Sequence, residues 1–298
     1  MENFIIIDAH VHTYKTPEIA AQAMGGQSRV GCLGTPEELL QIMNDAGIIK
    51  AVQVNMTPAF SMFNALITKQ PPENREKARF EAVQTITGRI QRRNEWTCEL
   101  SKANERLIPF PSVDPIMGSL AMVSELEDKV KNYGAKGLKL HPAEGCYFPD
   151  DPVLWPVYET AQRLKIPVIS HGGLFLSDKD YTRPINFIKV LESFPELTFV
   201  IAHLGAGFWD ESIDMAKKYS NLYFDTSAAI HGDDVQKPLS DEEAVTIIRK
   251  IGVEKIMFGS DFPWYHPGRS LKRILGIGLS EKEKRAILAE NAVRIYNL

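Results

Sequence analysis

Eight short runs of apolar, β-favouring residues recur along the chain and constrain its fold more than any other feature. The runs are Phe4–His12, Lys50–Met56, Leu107–Asp114, Gly137–His141, Pro167–His171, Thr198–His203, Leu222–Thr226 and Lys255–Asp261. From the third run onward they start about 30 residues apart, which is the length of one strand, one helix and two connections. Because the runs are nearly continuous and do not alternate with polar residues, they are typical of strands covered on both faces in a parallel sheet.

The segments between the runs carry helix signals. Thr35 offers an N-cap, Pro36 takes the first helical position, Glu38 the third, and Gly47 ends the helix. Ser280-Glu281-Lys282-Glu283 is a second capping box and opens a last helix that runs towards Tyr296. Further helices are predicted over Ser119–Tyr133, Pro152–Leu164, Ile185–Phe194, Trp209–Tyr219 and Asp241–Ile251.

Eight strands that alternate with helices predict an α/β protein, a distorted (β/α)₈ TIM barrel that occupies residues 1–298 as a single domain. The alternative is an open, doubly wound parallel sheet. That fold usually carries a glycine-rich turn after its first strand, whereas this first strand ends in Asp8-Ala9-His10-Val11-His12. The pattern therefore favours the closed barrel.

Two connections are unusually long. Residues 13–34 follow the first strand and contain four glycines, so they are predicted to form a mobile loop. Residues 57–106 follow the second strand and include a long charged helix over about 75–102. Both are βα connections, so both are expected over the C-terminal mouth of the barrel, where active sites lie. For the long helix the alternative is a surface role, including the contact of a homodimer.

The composition excludes several classes of function. The 298 residues carry 34 basic and 38 acidic side chains, a net charge of −4, so no basic surface for nucleic acid is expected. No run of apolar residues approaches the length of a membrane span. Three widely spaced cysteines form no pairing motif, which indicates reduced thiols and a cytoplasmic protein.

The histidines fall where the predicted strands end. His10 and His12 share one face of the first strand, because side chains alternate along a strand. With His171 and Asp261 at two other strand ends, they form a set of ligands for one divalent metal with an open position. Zn²⁺ is the expected ion, with Mn²⁺ or Fe²⁺ as alternatives. Asp8, one pleat below His10, is expected to hydrogen-bond a ligating imidazole.

Other polar residues near these strand ends have expected roles in catalysis or in substrate binding. His203 is predicted to accept a proton from water or to orient the substrate, with direct metal ligation as the alternative. Lys139 and His141 share a strand face and would bind an anionic substrate group; alternatively, a carbamylated Lys139 would bridge a second metal. Trp264 and His266 are candidates for the pocket wall, where ordinary loop packing is the other interpretation.

Six segments together resemble the amidohydrolase superfamily, in the branch that also holds the aminocarboxymuconate-semialdehyde and γ-resorcylate-type decarboxylases. They are Ile7–His12, Gly137–Pro142, Ser170–Gly173, Ala202–Gly205, Phe258–Pro263 and Glu290–Arg294. The resemblance implies a distorted barrel with one divalent metal held by the positions of His10, His12, His171 and Asp261. His203 matches the histidine that helps activate water. Some decarboxylases of this branch begin with Glu-x-His, and this sequence has His-x-His.

These features predict a metal-dependent hydrolase of a small amide, lactone or ester that uses a zinc-activated water, with His203 and Asp261 as the catalytic residues that manage the proton. The alternative is a metal-dependent decarboxylase of an aromatic or enoic acid, with Arg183, Arg269 or Lys139 as receptors for an acidic substrate. A metal-dependent binding module without enzymatic activity is the remaining alternative. The expected partner of the enzyme is a small-molecule substrate, and one that bears a carboxylate is among the alternatives.

Overall fold

The computed structural model describes residues 4–175 and 179–298 of the chain. Its strands are β1 (Ile7–Val11), β2 (Lys50–Gln53), β3 (Leu107–Pro109), β4 (Leu138–Leu140), β5 (Val168–Ser170), β6 (Phe199–Ile201), β7 (Leu222–Asp225) and β8 (Ile256–Met257). Each lies inside one of the eight predicted runs. The prediction of a single domain also covers residues 1–3 and 176–178, which lie outside the described residues, and it stays a prediction.

The strands form a parallel barrel in sequence order. Hydrogen-bonded pairing joins β1, β2 and β3 in one group and β4 to β8 in another. Two isolated parallel bridges connect the groups, between Val11 and Phe262 and between Ser112 and Lys139. The first bridge joins the end of β8 to β1, and the second joins the end of β3 to β4. The architecture confirms the predicted TIM barrel and excludes the open sheet.

Helices cover the barrel and fill its connections. They are α1 (Pro17–Ala23), α2 (Pro36–Ala46), α3 (Ala59–Ile67), α4 (Arg75–Ala103), α5 (Ser119–Tyr133), α6 (Pro142–Gly145), α7 (Trp155–Leu164), α8 (Ile188–Ser193), α9 (Trp209–Lys218), α10 (Asp241–Ile251), α11 (Pro267–Gly276), α12 (Glu281–Arg285) and α13 (Asn291–Tyr296). A π-helical turn, Ala286–Glu290, joins α12 to α13. Short 3₁₀ helices span Pro72–Asn74, Pro115–Met117, Pro152–Leu154, Pro184–Phe187, Ala202–Gly205 and Val253–Lys255. No described helix combines the length and the apolar character that crossing a membrane requires.

The predicted caps are present where the sequence placed them. The hydroxyl of Thr35 accepts a hydrogen bond from the backbone N–H of Glu38 at 3.3 Å, and Gly47 adopts the left-handed conformation that ends α2. Ser240 and Ser280 both form complete capping boxes. These contacts satisfy N–H groups that have no partner inside a helix.

The connection after β1 differs from the prediction of a loop, because it contains the seven-residue helix α1. The hydroxyl of Thr16 accepts a hydrogen bond from the N–H of Ile19 at 3.4 Å, and Pro17 takes the first helical position. This is the same threonine–proline arrangement that starts α2. The four glycines of the connection, which favoured the prediction of a loop, all follow this helix in the sequence.

The predicted helix after β2 is α4, which extends past the C-terminal ends of β2 and β3. Its Asn94 donates to the carbonyl of Ser112 at 2.8 Å, and its Thr97 accepts from Asn55 at 2.9 Å. Both contacts are buried, so the helix is fixed to the strand ends. A role in a homodimer stays a prediction.

Gly173 lies where the connections after β5 and β6 meet. Its φ is +93°, and a Cβ there would lie 2.5 Å from the carbonyl oxygen of Ala206. Gly173→Ala is therefore expected to lower the free energy of unfolding by about 2–4 kcal/mol, measured by urea denaturation. The matched control is Gly276→Ala at the end of α11, where a Cβ would meet nothing within 4 Å. An equal effect of both substitutions would contradict this close approach.

Candidate metal centre

Three candidate ligands converge at the C-terminal end of β1. The Nε2 atoms of His10 and His12 are 3.3 Å apart, and Oδ1 of Asp261 lies 3.5 Å and 3.4 Å from them. A tetrahedral ion with bonds of about 2.0–2.1 Å separates its ligand atoms by about 3.4 Å. The three distances therefore match the edges of such a site. His10 and His12 are buried, and Asp261 is nearly so.

The protonation states suit a cation. Burial lowers the pKa of His12 to about 3, so its imidazole is neutral and offers a lone pair. Burial alone would raise the pKa of Asp261, but the hydrogen bond to His12 and the neighbouring imidazoles His203 and His10 hold it below its usual value. Metal binding requires this combination of a neutral imidazole and an ionised carboxylate.

Asp225, to which sequence analysis assigned no role, orients His10. Its Oδ2 accepts a hydrogen bond from Nδ1 of His10 at 2.8 Å, which leaves the lone pair of His10 on Nε2, towards His12. Its Oδ1 accepts from the backbone N–H groups of His203 and Ser227, both at 3.0 Å, and from the hydroxyl of Ser227. The available signal was its position at the end of the seventh run.

Asp8 does not have the role expected from the sequence. Its Oδ1 accepts from the backbone N–H of His10 at 3.2 Å and from that of Ser260 at 2.9 Å, and it contacts no imidazole nitrogen. The side chain therefore fixes the backbone of β1 against the end of β8, and Asp225 provides the contact to the imidazole. Burial raises the pKa of Asp8 to about 7.

His171 and His203 form a second pair beside this group. Nδ1 of His171 lies 3.0 Å from Nε2 of His203, whose other ring nitrogen lies 2.8 Å from the hydroxyl of Ser227. Within the described residues, the potential metal-ligand atoms of His10, His12 and Asp261 all lie within 4.8 Å of one another. His171 belongs to no such group in that part of the chain. The structure thus brings three of the four predicted ligands together and places the fourth against His203.

Lys139 and His141 extend from the end of β4 into the same site. Lys139 is fully buried, and its Nζ lies 3.4 Å from Nε2 of His10. Burial lowers the pKa of Lys139 to about 8, against the opposing effect of the carboxylates Asp225 and Asp261. The ring of His141 stacks on that of His171 with centroids 4.1 Å apart.

The backbone is strained at two of these positions. Asp261 has a φ of +66° and His203 a φ of +61°, a left-handed conformation that side chains other than glycine rarely adopt. The next residue, Leu204, has a φ of +53°. Such strain persists only where the surroundings impose it, and it often marks a functional site.

A cavity of about 330 Å³ opens above these groups, and we call it the inner chamber. Candidate ligands His12, His171 and Asp261 line it together with His203, Lys139 and His141. The rest of the wall is mostly apolar or aromatic: Tyr14, Ala23, Met56, Pro58, Gly172, Leu174, Phe175, Ala206, Ala228, Trp264 and Tyr265. No residue of α4 is among the described residues that line the inner chamber. From the connection after β2, the wall contains Met56 and Pro58, which precede α4.

The other candidates for the pocket wall divide clearly. Trp264 lines the inner chamber, with its ring 5.2 Å from that of His12. His266 does not; its Nδ1 accepts from the N–H of Gly268 at 3.1 Å and caps α11. Arg183 and Arg269 are also absent from the wall, because they pair with Glu211 and Asp233.

Glu144 is a wall residue that sequence analysis missed. It follows His141 by three residues in α6, and it lines the inner chamber. Partial burial raises the pKa of its carboxyl group. The short helix that turns it inward carried no distinct signal in the sequence.

Comparisons with known proteins support the family and the barrel fold. A family model described as amidohydrolase matches residues 7–298. The structure is similar to an uncharacterised TIM-barrel protein from Bordetella bronchiseptica, with a TM-score of 0.73 and 19% identity over 97% of each chain.

Two decarboxylases have the same fold. One is a dihydroxybenzoic acid decarboxylase from Polaromonas with bound manganese and 2-nitroresorcinol; it has a TM-score of 0.74 and 15% identity over 100% of this chain and 98% of that chain. The other is 5-carboxyvanillate decarboxylase from Sphingomonas paucimobilis, with a TM-score of 0.71 and 16% identity over 99% of this chain and 100% of that chain. At these identities the likeness shows the barrel.

Proposed function

The chain belongs to the amidohydrolase superfamily, and on this premise we propose that it is a metal-dependent hydrolase of a small amide, lactone or ester. One observation carries the proposal: two imidazoles, of His10 and His12, and the ionised carboxylate of Asp261 converge at the spacing of a tetrahedral metal site. Two of them, His12 and Asp261, also line a cavity large enough for a small molecule.

His10, His12 and Asp261 would hold one divalent ion, and His171 would complete the set. Zn²⁺ is the proposed ion, although imidazole and carboxylate also accept Mn²⁺ and Fe²⁺. When bound, the ion would act as a Lewis acid and lower the pKa of a water molecule towards neutrality.

Asp261 and His203 would manage the proton. The carboxylate of Asp261 is ionised and lines the inner chamber, so it is available as a proton acceptor. His203 is also neutral, because burial lowers its pKa. The hydroxyl of Ser227 contacts Nδ1 of His203, and the carboxylate of Asp225 accepts a hydrogen bond from the backbone N–H of His203. Together these contacts fix the direction of Nε2.

Lys139 favours substrates that carry an anionic group. It is the one lysine or arginine among the described residues of the inner-chamber wall. Its ammonium lies beside the candidate ligands in a buried setting, where a charge acts strongly on a bound anion. A substrate carboxylate would therefore place its reactive carbonyl near Asp261.

A matched panel of substrates tests this proposal. Zn²⁺-loaded protein is expected to hydrolyse at least one class among small amides, lactones and esters, and EDTA treatment is expected to abolish the activity until Zn²⁺ is restored. Substrates with a free carboxylate should be hydrolysed faster than the same substrates in which that carboxylate is masked as a methyl ester. Lys139→Met should remove this difference in rate. Absence of hydrolysis across the panel by fully metal-loaded protein would contradict the proposed reaction.

Decarboxylation of an aromatic acid is the second candidate, and Glu144 is the observation that favours it. A carboxyl group with a raised pKa at the cavity wall is suited to protonate carbon after loss of CO₂. The aromatic wall, with Tyr14, Phe175 and Trp264, suits a planar ring. The two similar decarboxylases act on ring acids of this kind.

CO₂ release distinguishes the two reactions. If decarboxylation is the activity, metal-loaded protein should release CO₂ from hydroxybenzoates, and Glu144→Gln should lower that rate. If hydrolysis is the activity, Glu144→Gln should leave ester or lactone hydrolysis within a few-fold of wild type.

A further inference from the structure

A second, larger cavity adjoins the inner chamber, and we call it the outer chamber. Its volume is about 790 Å³, against about 330 Å³ for the inner chamber. The two share five wall residues, which are Leu174, Ala206, Ala228, Trp264 and Tyr265. None of the candidate metal ligands lines the outer chamber. The shared walls make it a continuation of the site and not a separate pocket.

The outer chamber has a different chemical character. Trp209, Val235 and Pro238 give it an apolar side, whereas Gln27 and Gln236 offer amide hydrogen-bonding groups. Such a wall suits a hydrocarbon linker with polar substituents. The volume is more than a small ester or lactone held at the metal centre would need.

Arg29 is the charged side chain among the described residues of this wall. Within the described part of the chain, the side chain of Arg29 makes neither a hydrogen bond nor an ion pair, unlike those of Arg183 and Arg269. Arg29 and Tyr265 both line the outer chamber, and Tyr265 also lines the inner chamber. An arginine without a partner in a concave wall is suited to bind a carboxylate or phosphate bidentately.

From this arrangement we infer that the natural substrate spans both chambers, and that Arg29 binds an anionic group at its distal end. The inference rests on the proposed function for the placement of the reactive group in the inner chamber. The substrate class is an elongated, amphipathic molecule whose carbonyl or carboxyl end lies near Asp261. Its apolar middle part would pass Trp264, and its carboxylate or phosphate would reach Arg29.

Binding of dicarboxylates tests the inference without turnover. Isothermal titration calorimetry on Zn²⁺-loaded protein would compare α,ω-dicarboxylates from succinate to sebacate with monocarboxylates of the same length. At the lengths that reach Arg29, the dicarboxylate is expected to bind about tenfold more tightly than its matched monocarboxylate. Arg29→Gln should remove this advantage without changing monocarboxylate affinity, and Arg29→Lys should restore part of it.

Arg75→Gln, an exposed position at the start of α4, is the control and should leave every affinity unchanged. Equal affinities at all lengths, or an equal loss for both series in Arg29→Gln, would overturn the inference. If dicarboxylates bind more tightly in a way that depends on Arg29, but the substrate panel shows no hydrolysis, the proposed reaction is contradicted and the role of Arg29 in the outer chamber is supported. If the panel shows hydrolysis but dicarboxylates have no such advantage, the proposed reaction is supported and the role of Arg29 is contradicted.

Discussion

Asp261→Asn is expected to lower kcat/KM by about a thousandfold on whichever substrate the wild type turns over. Asp261 combines two roles in the proposed site, because it is one of three converging ligand atoms and the ionised group that would accept a proton. The amide is a weaker ligand and does not accept a proton at neutral pH. Loss of one such acid–base group ordinarily costs about 10²–10⁴-fold, and the weakened metal site adds to the loss. Steady-state kinetics at saturating Zn²⁺ measures the effect.

Two controls separate this loss from unfolding. The far-ultraviolet circular dichroism and urea midpoint of the variant should remain close to those of the wild type. Asp214→Asn on α9, an exposed carboxylate that lines neither chamber, should keep full activity. A folded Asp261→Asn protein with more than a tenth of wild-type kcat/KM would contradict the role assigned to Asp261.

Asp225→Asn is expected to weaken metal binding by about 10–100-fold. Its two oxygens accept hydrogen bonds from His10, from two backbone N–H groups and from the hydroxyl of Ser227. An asparagine retains one acceptor oxygen, so its NH₂ group must face at least one of these donors. Either the ring of His10 loses its partner or the loop that carries His203 shifts. Competition with a chromogenic chelator measures the affinity.

Asp8→Asn provides a matched comparison, since Asp8 is also a fully buried aspartate on a barrel strand. Its Oδ1 accepts from the backbone N–H groups of His10 and Ser260, and the carboxyl group contacts no ring nitrogen of the described histidines, so the substitution should affect stability more than metal affinity. If Asp8→Asn weakens metal binding as much as Asp225→Asn, the effect belongs to general disturbance of the barrel and not to the orientation of His10.

The barrel was predictable because its signals are local. Each strand is a short apolar run with a polar end, and each well-capped helix begins at a threonine or serine with glutamate in its first turn. The exceptions include α1, where glycines beyond the helix obscured the cap at Thr16, and α3 and α11, for which no helix was predicted.

The site was predictable only in part, because it depends on side-chain directions across the barrel. His10, His12 and Asp261 could be grouped from strand ends alone, since parallel strands bring those ends to one mouth. That Asp225, and not Asp8, contacts the ring of His10 could not be predicted, because it depends on the reach of a carboxylate across from β7. His266 and Glu144 follow their strands within short turns, and only the turn geometry decides that the first caps a helix and the second lines the cavity.

The metal content of the purified protein decides whether the converging group is a metal centre. Protein equilibrated with Zn²⁺ and then dialysed against metal-free buffer is expected to retain one ion per chain by inductively coupled plasma mass spectrometry. The double variant His12→Ala, Asp261→Ala should retain almost none while it remains folded. A folded wild-type protein that retains no stoichiometric Zn²⁺, and likewise no Mn²⁺ or Fe²⁺, would contradict the metal centre and the hydrolytic function that depends on it.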